Sequence, residues 1–135
     1  MIKDINHPII KNVAVAVVKE KNEINTTVWN VYIINQQSQT IENVLISSKG
    51  YITDLKGEES KTSILRHYLG DIRSKEYKLI EPVIEEVFAL HNEYWVSFYL
   101  NQELFDKKYI FLAETIKDEN LINIPIINKL GVMIK

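Results

Sequence analysis

The chain carries three histidines, His7, His67 and His91, and no cysteine. A shared metal needs ligands at spacings such as i, i+4 or H-x-H, and none of these histidines has such a neighbour or a flanking carboxylate cluster. His7, before Pro8, reads as part of an exposed terminus, and His91, beside Asn92, as a turn residue. His67 falls with Lys61, Thr62, Ser63 and Arg66 in a short polar and basic segment. An imidazole among cations there could bind an anion or, with a neighbouring serine or carboxylate inside a concave pocket, serve a small hydrolase. The lack of cysteine removes disulfides, thiolate zinc sites, iron–sulfur ligation and thiol nucleophiles together.

Glu81, Glu85 and Glu86 are the other candidates for acid–base work, which needs two carboxyl groups converging on one bond. On a strand Glu85 and Glu86 point to opposite faces, so a solvated sheet edge accounts for them better. Ser47-Ser48-Lys49-Gly50 holds serines beside a glycine, but without the GxSxG elbow it reads as the turn that ends a strand. Gly50, Gly57, Gly70 and Gly131 stand apart from one another, so neither a P-loop nor a dinucleotide fingerprint is present. Lys107 and Lys108 split across the two faces of their strand. With Trp95, Tyr99 and Tyr109 they could imitate the aromatic and basic surface that holds single-stranded nucleic acid, although core packing explains most of those rings.

The elements that would position these groups belong to a chain of 135 residues, about one domain's worth, with 46% hydrophobic and 25% charged residues. We read residues 1–135 as a single domain. The formal net charge of −2 supplies no global basic field, and Arg66 and Arg73 are the only arginines, which lowers the prospect of bidentate phosphate or base recognition. The opening residues lack the apolar core of a signal peptide and no apolar run approaches a membrane span, so a cytoplasmic protein with no membrane partner is expected.

Thirty-two isoleucines and valines and thirteen aromatic residues favour pleated sheets over helices. The run Ile9–Lys19 has Val13, Val15 and Val17 on one side and Ala14, Ala16 and Val18 on the other, which predicts a strand buried on both faces. Thr27–Asn35 predicts a central strand, Asn35–Thr40 a loop, and Glu42–Ser48 a strand ending at Gly50. Lys56–Ser60 is expected to be a surface loop. Lys61–Ile72 fits either a short helix or a strand, of which the strand is preferred. Tyr77, Leu79 and Pro82 suggest an edge strand, where proline's missing donor is tolerated. A meander should follow: strand Val87–Leu90, turn His91–Glu93, strand Tyr94–Leu100, turn Asn101–Glu103 and strand Leu104–Leu112. Thr115 and Asp118 resemble a capping box opening a helix of about two turns, ended by Asn123 and Pro125. The closing Lys129–Lys135 can add a last strand.

The expected fold is therefore mainly β: an antiparallel immunoglobulin-like β-sandwich of about 7–9 strands with one short helix near the C-terminus. The strings WNVYIIN, VLISSKGY, KTSILRHYLGDI, NEYWVSF, FDKKYIF and GVMIK resemble a small uncharacterised family of bacterial proteins, some members of which carry the label phenylalanyl-tRNA synthetase alpha subunit. The likeness covers nearly the whole chain and implies a compact unit. It transfers no catalytic residue: class II synthetases hold ATP with an R-x-E motif and a glycine-rich motif ending in arginine, whereas Arg66 precedes His67-Tyr68 and Arg73 precedes Ser74-Lys75.

The functional expectation is a non-catalytic protein-interaction or self-association module that uses a sheet face or edge, with no cofactor, no metal and no catalytic residue. The alternative is an RNA- or tRNA-associated accessory domain binding anions through Lys49, Lys61, Arg66, His67, Lys107 and Lys108. These alternatives separate on whether the six cations share one surface.

Overall fold

The structure, a computed structural model, describes residues 10–135, so His7 and Ile9 lie outside the described residues. The described residues form ten strands: β1 Val13–Lys21, β2 Thr27–Asn35, β3 Ile41–Thr53, β4 Glu59–Lys61, β5 Leu65–Ile72, β6 Tyr77–Val83, β7 His91–Leu100, β8 Glu103–Phe111, β9 Ile122–Asn123 and β10 Leu130–Ile134. All pairings are antiparallel. The first sheet runs β6-β2-β1-β10-β9. In the second, β4-β3-β7-β8, the long β3 also pairs with β5.

Alternation explains how the sheets meet. Val13, Val15 and Val17 of β1 join Val31 and Ile33 of β2 in one core with Ile46 of β3, Val96 and Phe98 of β7 and Tyr109 and Phe111 of β8. The other face of β1 is buried as well. Ala16 and Val18 pack with Ile34, Ile124 and Ile127, so the segment around β9 covers the outside of the first sheet. Each such Val or Ile contributes roughly 1.5–3 kcal/mol on full burial, and a strand buried on both faces is therefore strongly pinned in register. The small residue at the crossing is required: a Cβ on Gly131 of β10 would lie 2.5 Å from the Val17 carbonyl oxygen. The β7–β8 hairpin turns through Asn101 and Gln102, both at positive φ (52° and 66°), the twist that a two-residue hairpin needs.

Five local expectations are corrected. β3 does not end at Gly50. It runs on to Thr53, because Gly50 N donates to Thr62 Oγ1 and Thr62 N donates back to the Gly50 carbonyl. The polar stretch Lys56–Ser60 is not all loop, since Glu59 and Ser60 begin β4. Glu85–Ala89 is a 3-10 turn instead of a strand: Trp29 Nε1 donates to Glu85 (3.0 Å), and Phe88 packs edge-on against the Trp29 ring at 5.1 Å. A short continuous apolar run reads equally well either way. His91–Glu93 is the start of β7 and not a turn; Asn92 Nδ2 closes the preceding 3-10 turn by donating to the Val87 and Leu90 carbonyls. Finally, the two-turn helix after Thr115 reduces to Asp118–Asn120. The Thr115 hydroxyl donates backwards to the Leu112 carbonyl (2.6 Å) and caps nothing.

A carboxylate between the sheets and a mixed aromatic face

Sheet pairing decides which way each candidate cation points, because directly paired residues share a face. Two rows on the outer face of the second sheet follow from the register: Tyr68, Leu45, Ser97 and Asp106, and beside it Arg66, Ser47, Trp95 and Lys108. Lys49, two residues along β3 from Ser47, shares that face, and its ammonium sits 5.5 Å from the Tyr51 ring centroid. Lys61 of β4 pairs with Tyr51 and so joins the same side. Lys108 lies 4.8 Å over the Trp95 ring, and Leu45, Ser47, Arg66, Trp95 and Ser97 line a depression of about 210 Å³. Four of the six candidate cations, Lys49, Lys61, Arg66 and Lys108, are thus brought together.

The other two are not. Lys107 faces inwards beside Tyr109, with its ammonium 4.8 Å from that ring and donating to the Lys135 carbonyl at 2.7 Å. His67 pairs with Ile46 on the inner face, where its Nε2 lies 2.8 Å from Glu81 Oε1. Acids also punctuate the outer face: Asp106 is exposed there, and Glu93 is buried opposite Lys49.

Glu81 of β6 gathers groups from three other strands. Ser48 Oγ of β3 donates to its Oε1 (2.8 Å), His67 of β5 meets the same oxygen, and the Tyr94 hydroxyl of β7 donates to Oε2 (3.0 Å). The Glu81 side chain is 12% exposed, and a carboxylate so placed is tolerable only when its lone pairs are occupied in this way. Burial, and then the adjacent Glu81 charge, push the Tyr94 phenol far above its ordinary range, so it stays a donor to the carboxylate. Glu81 thereby ties the edge strand β6 of the first sheet to β3, β5 and β7 of the second.

This cluster is not a hydrolytic triad. A serine nucleophile must donate to the imidazole that deprotonates it, whereas Ser48 donates to the carboxylate and His67 reaches the same carboxylate separately. Glu85 and Glu86 do not join it: Glu85 holds the Trp29 indole and Glu86 is exposed. His91 is a backbone partner, its Nδ1 accepting from Ala113 N (2.9 Å). Among the described residues no group of three or more His, Cys, Asp or Glu side chains is arranged to hold a metal.

Beside Glu81 a cavity of about 350 Å³ opens between β6 and the second sheet, walled by Leu65, Pro82, Val83, Ile84 and Val87. Asn92, Tyr94, Thr62 and Ser63 complete its polar side, and His67 does not line it. The sequence offered Glu81 only as one of three carboxylates, with Glu85 and Glu86, and it gave no sign of this cavity.

The class defined by these observations is a mainly β protein of two antiparallel sheets, joined internally by a hydrogen-bonded carboxylate and showing an aromatic and charged outer face. No protein-family model, no curated protein and no solved structure matches the chain. No helix of the described residues is long and apolar enough to cross a membrane.

Proposed function

We propose that this chain is a non-catalytic cytoplasmic interaction module that associates with a second copy of itself through the outer face of its second sheet. The likeness to an immunoglobulin-like sandwich rests on its two antiparallel layers alone, so the face and not the architecture carries the reading.

The supporting observation is the pair of rows on that face. Leu45, Tyr68, Trp95, Tyr99 and Leu104 are each more than two-fifths exposed. Tryptophan, tyrosine and arginine are the residue types that dominate contact energies. The charges also select an orientation. A two-fold axis lying in the face and perpendicular to the strands, passing between the two rows, sets Lys108 against Asp106 of the second copy and Arg66 against its Tyr68 ring. By symmetry each contact occurs twice. An axis parallel to the strands would instead oppose Arg66 and Lys108, two like charges, and is disfavoured.

Sedimentation across protein concentrations from about 1 to 500 μM tests this, a range that detects dissociation constants from micromolar to sub-millimolar. A concentration-dependent dimer is expected. Lys108→Asp should dissociate it, and the swap Lys108→Asp with Asp106→Lys should restore it. A strict monomer that retains no partner from a lysate overturns the reading.

A second reading, an RNA-associated surface, is favoured by the four cations that share the face and by the stacking of Lys108 on Trp95. Asp106 and Glu93 on the same face weigh against it. A shift of tRNA or single-stranded RNA at about 50 mM salt, lost steeply as salt rises, would support it; the absence of any shift ends it.

A further inference from the structure

We propose that the cavity between β6 and the second sheet binds a small amine carried on an aromatic or branched aliphatic body, with its ammonium paired to Glu81. The inference is independent of the outer face and concerns the opposite side of the same sheet.

The walls set the body of the ligand. Leu65, Pro82, Val83, Ile84 and Val87 are apolar, and the volume of about 350 Å³ holds on the order of a dozen water-sized groups at about 30 Å³ each. That is the lower range of small-molecule sites, in which an apolar shell surrounds a few convergent polar groups.

The polar groups set the head. Apart from the Ser63 hydroxyl, the side-chain hydroxyl and amide donors on this surface each have an acceptor among the described residues. Ser48 and Tyr94 donate to Glu81, Thr62 Oγ1 donates to the Ser63 carbonyl, and Asn92 Nδ2 donates to two carbonyls. What remains is acceptor capacity. Glu81 Oε1 receives two contacts but Oε2 only one, and a carboxylate oxygen can take two. Asn92 Oδ1 accepts nothing among the described residues, although Asn92 is only 8% exposed. The one lining lysine, Lys49, holds its ammonium over Tyr51 on the outer face. His67 contacts Oε1 of Glu81 and does not occupy Oε2. An anion would find one free side-chain hydroxyl here, that of Ser63, set against the Glu81 carboxylate. An ammonium, with three donors and a positive charge, matches the vacant acceptors.

The test uses three ligands of closely matched shape and different heads: tryptamine, the alcohol indole-3-ethanol and the acid indole-3-acetate, titrated by calorimetry or ligand-observed NMR into the wild-type chain. Tryptamine should bind at least about tenfold more tightly than the alcohol, and the acid should not bind. Leu65→Trp, which fills the mouth from a half-exposed position, should abolish tryptamine binding. Glu81→Gln should remove the preference for the amine over the alcohol. Should Glu81→Gln fail to fold, the comparison of heads in the wild type and the Leu65→Trp variant still decide. Equal binding of amine and alcohol, tryptamine binding that survives Leu65→Trp, or no binding of tryptamine at millimolar concentration would each overturn the assignment.

Discussion

Tyr109 offers the sharpest test of how the sheets are joined. Its side chain is fully buried and its hydroxyl donates to the Val13 carbonyl of the opposite sheet at 2.6 Å. Tyr109→Phe keeps the ring and removes only the donor, leaving a buried carbonyl without that partner, at a cost of about 1–2 kcal/mol near neutral pH. The phenol has a second consequence. Burial raises its pKa well above the ordinary 10, because the ionised form would be stranded in the core. In alkaline solution the unfolded chain releases this proton while the folded chain keeps it. A raised folded value contributes stability that is fully present below about pH 10 and is lost as pH climbs beyond it, at about 1.4 kcal/mol per pH unit. The phenylalanine variant has no such proton to lose. Urea denaturation at pH 7, 9, 10 and 11 should therefore show the variant less stable at pH 7 and the gap nearly closed at about pH 11, where the wild type has given up about 1.4 kcal/mol through this group. A stability difference that stays constant from pH 7 to 11 would refute the buried phenol, and no difference at pH 7 would refute the inter-sheet hydrogen bond.

Three further outcomes are expected. Gly131→Ala should lower the denaturation midpoint by the equivalent of about 1–3 kcal/mol, because the added Cβ meets the backbone of β1 at 2.5 Å and neither strand has room to yield. Asn35→Ala should cost about 2–4 kcal/mol and speed amide exchange through residues 36–40, since this fully buried side chain donates to the Gln39 and Ile72 carbonyls and accepts from Gln37 N. Burial raises the Glu20 carboxyl, but hydrogen bonds from Lys129, Tyr32 and Asn30, with the Lys129 charge, outweigh it and leave the group below its ordinary 4.5. The stability it contributes is present above pH 4.5 and lost as pH falls, so Glu20→Gln should flatten the acid limb of a stability-against-pH curve measured by denaturation.

Much of the sheet framework was legible because alternation is a direct readout of burial. The run Ile9–Lys19 read as a strand covered on both sides; β1 begins only at Val13, and its Ala16 and Val18 do pack under Ile124 and Ile127. Pro82 marked an edge, and β6 is the edge of the first sheet. The hairpin at Asn101 and Gln102 and the closing strand Leu130–Ile134 followed from turn chemistry and β-branched residues. Errors fell where local patterns have two solutions. Val87–Leu90 is apolar throughout and too short for either period to show, and tertiary contacts of Phe88 and Glu85 with Trp29 settled it as a 3-10 turn. Thr115 and Asp118 had the spacing of a capping box, but a threonine hydroxyl can bond the preceding backbone as readily as the following one, and here it does.

The carboxylate between the sheets was hidden for a different reason. Strict alternation along β6 would place Glu81 with Tyr77 and Leu79, both exposed, and turn it to solvent. The pairing with β2 breaks that alternation: Val31 is opposite Glu81 and Tyr32 is opposite Leu79, so Ile80 is an extra residue without a partner. A bulge of this kind sets two consecutive residues on one side of the strand. Ile80 enters the core, and Glu81 turns inwards with it to meet Ser48, His67 and Tyr94. None of those three partners is near it in the chain, since they come from β3, β5 and β7. The polar cluster and the cavity beside it thus depend on one inserted residue in an edge strand. Alternation in the sequence cannot register such an insertion, because a bulged strand and a regular one have the same composition and differ only in the register of their partner.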